Sequence, residues 1–251
     1  MTTPPVALPE PWDQIRQVSF SGSGSPGASD RSLRLVCNQR ESAAAKSFDL
    51  LRTRLLHTLK DRGWRRVAVT APLSGCGTTF SAVNLALSLA RVPGRRTILM
   101  DMNFRHPGVA AAMGLATPTG SGENGGLASF LSGATRMEEQ LVRPLPSLAV
   151  GANDVPDQNA AELLHGANCA AAIDEMMQSS GAHTALFDLP PVLEHDDTVA
   201  FLPQVDAVLL ISDGTATTAA HLAACEKMLA GHTQLLGVVL NRAQRSEMPL
   251  D

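Results

Sequence analysis

Six short apolar runs punctuate the chain: Arg66–Thr70, Arg96–Asp101, Leu148–Gly151, Thr184–Asp188, Asp206–Ile211 and Leu235–Leu240. Each is apolar throughout rather than alternating, which predicts strands covered on both faces. Between them lie segments with apolar residues at helical spacing, and these predict helices over Thr79–Ala90, Ala160–Ser179 and Thr217–Leu229. A further helix is expected from residue 42, where "SAAAKSFDLLRTRLLHTLKDRG" keeps helical spacing up to a glycine stop. Strands alternating with helices in this way predict an α/β fold, a mostly parallel sheet with helices on both faces. A ligand site is expected at the carboxyl ends of the strands.

The pattern is absent at the start of the chain. Residues 1–30 contain most of a Pro/Ser/Gly-rich tract, so residues 1–40 are expected to form a flexible tail and residues 41–251 one domain. Trp12, Ile15, Val18 and Phe20 stand out within the tract as a candidate docking motif for a partner.

Composition narrows the function classes. With 44% hydrophobic and 18% charged residues the chain can bury a sizeable core, and a net charge of −4 offers no attraction to nucleic acid. No apolar run is long enough to span a bilayer, and no basic-then-apolar leader opens the chain. The four cysteines have no metal-like spacing, as in a reduced, cytoplasmic protein. The chain contains no tyrosine.

Three strand ends carry candidate chemistry. "VTAPLSGCGTTF" runs from an apolar strand through a glycine turn into a helix, as a phosphate-binding loop does. Gly75, Cys76, Gly77, Thr78 and Thr79 form the expected nucleotide cradle, with Thr79 supplying the hydroxyl for Mg²⁺. Thr78 stands where such a loop places its lysine. "RRTILMDMNFRHPG" ends its strand on Asp101, followed by Asn103 and Arg105, and "HTALFDLPP" ends on Asp188. Both aspartates suit a divalent metal beside the loop. Arg105 and His106 are candidates to face phosphate. Cys76, at a helix N-terminus, is either a redox-sensitive thiol or a small residue at a tolerant position. His195, Asp196 and Asp197 form either a metal cluster or, with better odds, a helix cap.

These three motifs together resemble those of the bacterial tyrosine autokinases, the P-loop kinases of capsule and exopolysaccharide assembly, and especially their stand-alone cytoplasmic subunits. The resemblance runs from about residue 41 to residue 243. The family's "TSPxPGEGKST" stands here as "TAPLSGCGTTF", its "IDADLRRPxLHxxFGL" as "MDMNFRHPGVAAAMGL", and its "DTPPVLxxTDA" as "DLPPVLEHDDT". Asn241 closes a strand similar to the family's "GVVLNR" and is assigned with the nucleotide residues on that basis.

The resemblance implies a P-loop NTPase-like fold, Mg-ATP or Mg-ADP as ligand, a membrane polysaccharide co-polymerase as partner, homo-oligomer assembly, and a cytoplasmic location, peripheral at the membrane through that partner. It also exposes departures. The loop lysine is replaced by Thr78, and the aspartate that activates the acceptor tyrosine is replaced by Asn103, which cannot act as a general base. The family's C-terminal tyrosine cluster is missing. Its intersubunit Glu-x-x-Arg-x-x-Arg ladder aligns with Lys46, Asp49 and Arg52, two of them reversed in charge. Asp213 replaces a basic residue. The reading is therefore a catalytically degenerate member that binds nucleotide weakly or not at all. A slow ATPase switch and a kinase acting in trans on another protein are the alternatives. A partition-type ATPase is disfavoured because Leu73 stands where those proteins carry a second lysine.

Overall fold

The computed structural model describes residues 10–20, 35–36, 41–115, 126–153, 156–157 and 160–243. In chain order the elements are α1 (Pro11–Gln14), β1 (Arg16–Gln17), α2 (Ala43–Arg62), β2 (Arg66–Thr70), α3 (Thr78–Leu89), β3 (Thr97–Asp101), α4 (Val109–Met113), α5 (Gly126–Leu131), α6 (Met137–Gln140), β4 (Leu141–Leu145), β5 (Leu148–Gly151), α7 (Ala160–His165), α8 (Ala167–Ser179), β6 (Thr184–Asp188), α9 (Asp197–Phe201), β7 (Ala207–Asp213), α10 (Ala219–Leu229) and β8 (Gln234–Asn241). The strands join one sheet in the order β1-β4-β5-β3-β6-β2-β7-β8. The six strands from β5 to β8 in that order are mutually parallel, β4 is antiparallel to β5, and β1 runs parallel to β4.

Side chains of the parallel strands alternate between two cores. Val67, Val69, Leu99, Leu186, Leu209 and Ile211 pack beneath α2, α3 and α4. Ala68, Ile98, Met100, Phe187, Val208 and Leu210 pack against α5, α8, α9 and α10. Both faces are covered, which is why these strands carry continuous apolar runs. α2 begins at Ser42, whose side chain accepts from the Ala45 N–H, and ends at Gly63 with φ 69°, the left-handed cap that the glycine stop predicts. α3 is buried along its whole second half, from Ser81 to Leu89, so the phosphate-loop helix is a central strut rather than a surface element.

Two expectations need correction. The helix expected over Ala160–Ser179 divides at Gly166, which adopts extended backbone (φ −67°, ψ 146°) and starts α8 afresh. The tail is the larger correction. Its residues 10–20 lie on the sheet, with Trp12 and Ile15 buried and Val18 and Phe20 packed on the second core. Trp12 donates its indole N–H to the Pro146 carbonyl at 3.2 Å and lies under the Arg96 guanidinium. Arg143 on β4, itself buried, donates to the Trp12 carbonyl at 3.1 Å and to Asp13 at 2.9 Å. The apolar residues read as a partner-docking motif are therefore used within the chain. The rest of the tract, 1–9, 21–34 and 37–40, lies outside the described residues.

Truncating a buried tryptophan leaves a large cavity. Trp12→Ala is expected to lower stability by about 3 kcal/mol, read as a shift in the urea midpoint at unchanged slope. An unchanged midpoint contradicts the placement of this segment in the core.

Candidate functional site

The site lies where β2, β3 and β6 end. β3 and β6 are neighbours in register, so Asp101 and Asp188 sit opposite each other on adjacent strands. Both are fully buried. Asp101 Oδ2 accepts from the N–H groups of Gly108 (2.9 Å) and Val109 (3.0 Å) at the start of α4. Asp188 Oδ2 accepts from the Thr79 hydroxyl at 2.6 Å. The other oxygen of each carboxylate, Oδ1, is buried without a hydrogen-bond partner among the described residues. Burial pushes Asp101 up to about 7, against the pull of its backbone donors. Burial, followed by the neighbouring charge of Asp101, holds Asp188 well above the ordinary carboxylate range.

The loop leaving β2 turns twice through the left-handed region, at Gly75 (φ 80°) and Gly77 (φ 89°), and delivers the chain into the N-terminus of α3. Gly77 has a second constraint: a Cβ there would stand 2.3 Å from Asn241 Nδ2, which donates to the Cys76 carbonyl at 2.9 Å. Asn241 thus clamps the loop from β8. The backbone also approaches closely at Gly108, where a Cβ would press on the Thr79 side chain at 3.2–3.3 Å.

A cavity of about 360 Å³ opens above the loop, with Gly75, Gly77, Thr78 and Thr79 on one side and Asn103, His106, Pro191 and Glu194 on the other. Among the described residues its lining includes neither lysine nor arginine. Thr78 faces this space from the lysine position. Asn103 lies across from it, and its side-chain oxygen accepts from the His106 N–H at 3.1 Å, closing a turn.

Most of the expected nucleotide and metal residues are therefore brought together: Gly75, Gly77, Thr78 and Thr79 line the cavity, Asp101 and Asp188 lie beneath it, and Asn241 holds the loop. Arg105 is a correction. Its guanidinium makes a two-pronged pair with buried Asp197, Nε donating to Oδ2 and Nη2 to Oδ1 at 3.1 Å. A buried carboxylate needs a cation, and Arg105 serves that need rather than lining the cavity. Asp197 correspondingly anchors Arg105, and the Asp196 side chain at the start of α9 makes no capping hydrogen bond. Cys76 is buried, its Sγ 3.7 Å from the Thr217 hydroxyl, which removes the exposure that a redox sensor needs.

The helix ladder also turns inward. Asp49 accepts from Arg52 (3.1 Å), from the Ser88 hydroxyl (2.8 Å) and from Arg91, tying α2 to the end of α3. Lys46 stays at the surface, 3.6 Å from Glu41. The charge at Asp213 is likewise matched within the chain, by Arg242 at 2.5 Å and by Thr215. Glu194 escaped the sequence reading, because its position depends on contacts between two loops that no local pattern encodes.

The residues present fit a divalent cation with the phosphates nearest the loop. The two orphaned carboxylate oxygens belong to register partners on adjacent strand ends, one of which also holds the Thr79 hydroxyl, a donor set that suits a divalent cation beside a helix N-terminus. When bound, such a cation supplies charge neutralisation for phosphate.

This arrangement of a parallel sheet, a glycine loop before a buried helix and strand-end carboxylates defines a P-loop NTPase-like α/β fold. No family model matches the chain. It is 27% identical over 205 residues, 80% of its length, to the EpsB protein of Ralstonia nicotianae, provisionally named a tyrosine-protein kinase. It is 27% identical over 220 residues to the tyrosine-protein kinase YwqD of Bacillus subtilis, covering 85% of this chain and 87% of that one. The chain spans about a quarter of the length of the EpsB relative (26%). The crystal structure of the VpsO kinase domain superimposes with a TM-score of 0.66 at 26% identity, over 79% of this chain and 98% of that one. In sequence the chain is similar to these tyrosine-protein kinases, and in fold to the VpsO kinase domain.

A carboxyl whose folded-state pKa lies above its unfolded value binds more protons folded than unfolded. Stability is then greatest below the unfolded value, about 4, and falls as pH rises through the folded one. In the absence of divalent metal the protein is expected to lose stability between pH 4 and pH 7. Asp188→Asn should be more stable than wild type by about 1–3 kcal/mol at pH 8, with the gap closing at pH 5. Urea unfolding in EDTA at the two pH values measures this, and a gap independent of pH contradicts it.

Proposed function

We propose that the chain is a pseudokinase: a tyrosine-autokinase-type domain that keeps the metal half of its site and has lost the transfer half. The observation that carries this reading is the cavity above the loop, which Thr78 and Asn103 face and which, among the described residues, no lysine or arginine lines. Phosphoryl transfer depends on positioning and on neutralising the charge of the moving group. Removing one preorganised charge or donor costs roughly 10²–10³ in rate, and a missing general base roughly a further 10²–10⁴. Effects within one site do not add simply, yet either loss alone leaves little activity.

The role that fits a preserved scaffold without transfer chemistry is regulatory. The domain docks on the cytoplasmic end of a membrane polysaccharide co-polymerase, and its assembly state biases polymerisation or export. The relatives named as tyrosine-protein kinases support the kinase-type scaffold, and the exopolysaccharide setting rests on the motif resemblance. Among the described residues no helix is long and apolar enough to cross a membrane, and the membrane association proposed here is through the partner. Lys46 is the ladder residue left at the surface for a neighbouring copy; Asp49 and Arg52 take part through the α2–α3 tie they make.

A second reading, a slow ATPase switch, is favoured by one feature, the intact Thr79–Asp188 hydrogen bond beside Asp101. Phosphate release from Mg-ATP by the purified chain and by Asp188→Ala separates the two. The pseudokinase reading expects indistinguishable, background-level release. Turnover by wild type that Asp188→Ala abolishes contradicts it.

A further inference from the structure

We propose that Glu194 sets which phosphate ligand the cradle accepts, admitting a nucleoside diphosphate and opposing a triphosphate. This rests on the reading of the cleft as a phosphate cradle.

Glu194 is held in place by backbone contacts. After β6 the chain runs alongside the phosphate loop, with Leu189 N–H donating to Val69 O (2.9 Å), Val192 N–H to Ala71 O (2.9 Å) and Leu193 N–H to Pro72 O (3.3 Å). Pro190, Pro191 and Val192 are buried, and the Glu194 N–H closes a turn onto the Pro191 carbonyl at 3.2 Å. The next contact in this series is made by a side chain. Glu194 Oε1 accepts from the Ser74 N–H at 2.9 Å and from the Ser74 hydroxyl at 3.3 Å. The carboxylate is thereby placed at the entry of the loop and faces the same cavity as Thr78, Asn103 and His106.

The consequence is electrostatic. In a phosphate loop the lysine reaches the β- and γ-phosphates. Here that position holds the short, neutral Thr78, and the nearest fixed charge in the cavity lining is the anion Glu194. Phosphates lying over the backbone N–H groups from Gly75 to Thr79 keep their donors and the helix N-terminus behind them. A third phosphate meets a carboxylate and, among the described lining residues, no lysine or arginine. One like charge at close range in a solvent-exposed site changes affinity by roughly five- to tenfold. Glu194 is exposed, so the effect is screened by salt.

The test is an equilibrium titration with Mg-ADP and with Mg-ATP of the full chain and of Glu194→Gln, which keeps an acceptor for the Ser74 N–H. Equal urea midpoints for the two proteins establish that both are folded. Wild type is expected to bind Mg-ADP about tenfold more tightly than Mg-ATP at low salt. Glu194→Gln should reduce that ratio to near two, mainly by tighter Mg-ATP binding. The inference is overturned if wild type binds Mg-ATP as tightly as Mg-ADP, if Glu194→Gln leaves the ratio unchanged, or if wild type binds neither nucleotide. These outcomes are separate from failure of the pseudokinase reading, which falls on Asp188-dependent turnover and not on a binding ratio.

Discussion

Asp101 and Asp188 face each other across adjacent parallel strands, fully buried, each with one oxygen satisfied and the other orphaned. The surrounding structure is organised around this pair. α4 begins where its first N–H groups reach Asp101, and α3 begins where Thr79 reaches Asp188. Gly77 is required by its close approach to Asn241 and its left-handed backbone, and Gly108 lies close against Thr79. Burying two carboxylates without a cation is costly, of the order of several kcal/mol per ion. The pair answers that cost either by taking up a proton, as the raised position of both groups indicates, or by holding a metal.

On the proposed reading the site separates into two halves with different fates. The metal half is Thr79 with Asp101 and Asp188, joined by the Thr79–Asp188 hydrogen bond. The transfer half is changed at each point where charge counts: Thr78 for a cation, Asn103 for a base, and Glu194 added at the loop entry. A hydrogen-bonded cradle and a helix N-terminus can hold phosphate without a lysine, but they cannot follow the charge that develops on a phosphoryl group in flight. On this reading binding and transfer rest on different groups, and only the first set is kept.

The central sheet and the strand-end placement of Asp101 and Asp188 were legible in the sequence because their signals are local. Apolar runs ending on Asp101 and Asp188 mark strand ends, and a glycine turn before a helix marks the loop. That the two aspartates are register partners was not legible, since strand order belongs to the fold as a whole. The N-terminal segment misled for a physical reason: a two-residue strand has no periodicity, and Trp12 owes its burial to Arg143, Pro146 and Arg96, all distant in sequence. Arg105, Asp49 and Asp213 share that lesson. Each is a charged residue whose residue type suggested a ligand, a neighbouring subunit or a lost contact, and each is matched within the chain by a partner on another element. Glu194 is the converse, an unremarked acid in sequence that the pairing of two loops brings to the mouth of the cradle.

The central claim is that the metal half still works as a metal-and-phosphate seat while the transfer half does not. Calorimetric titration of wild type with ADP, in Mg²⁺ and again in EDTA, tests it most directly. ADP binding that requires Mg²⁺ is the predicted result, because the buried carboxylates can meet phosphate only through a cation. ADP binding of equal strength in EDTA, or none in either condition, contradicts the claim.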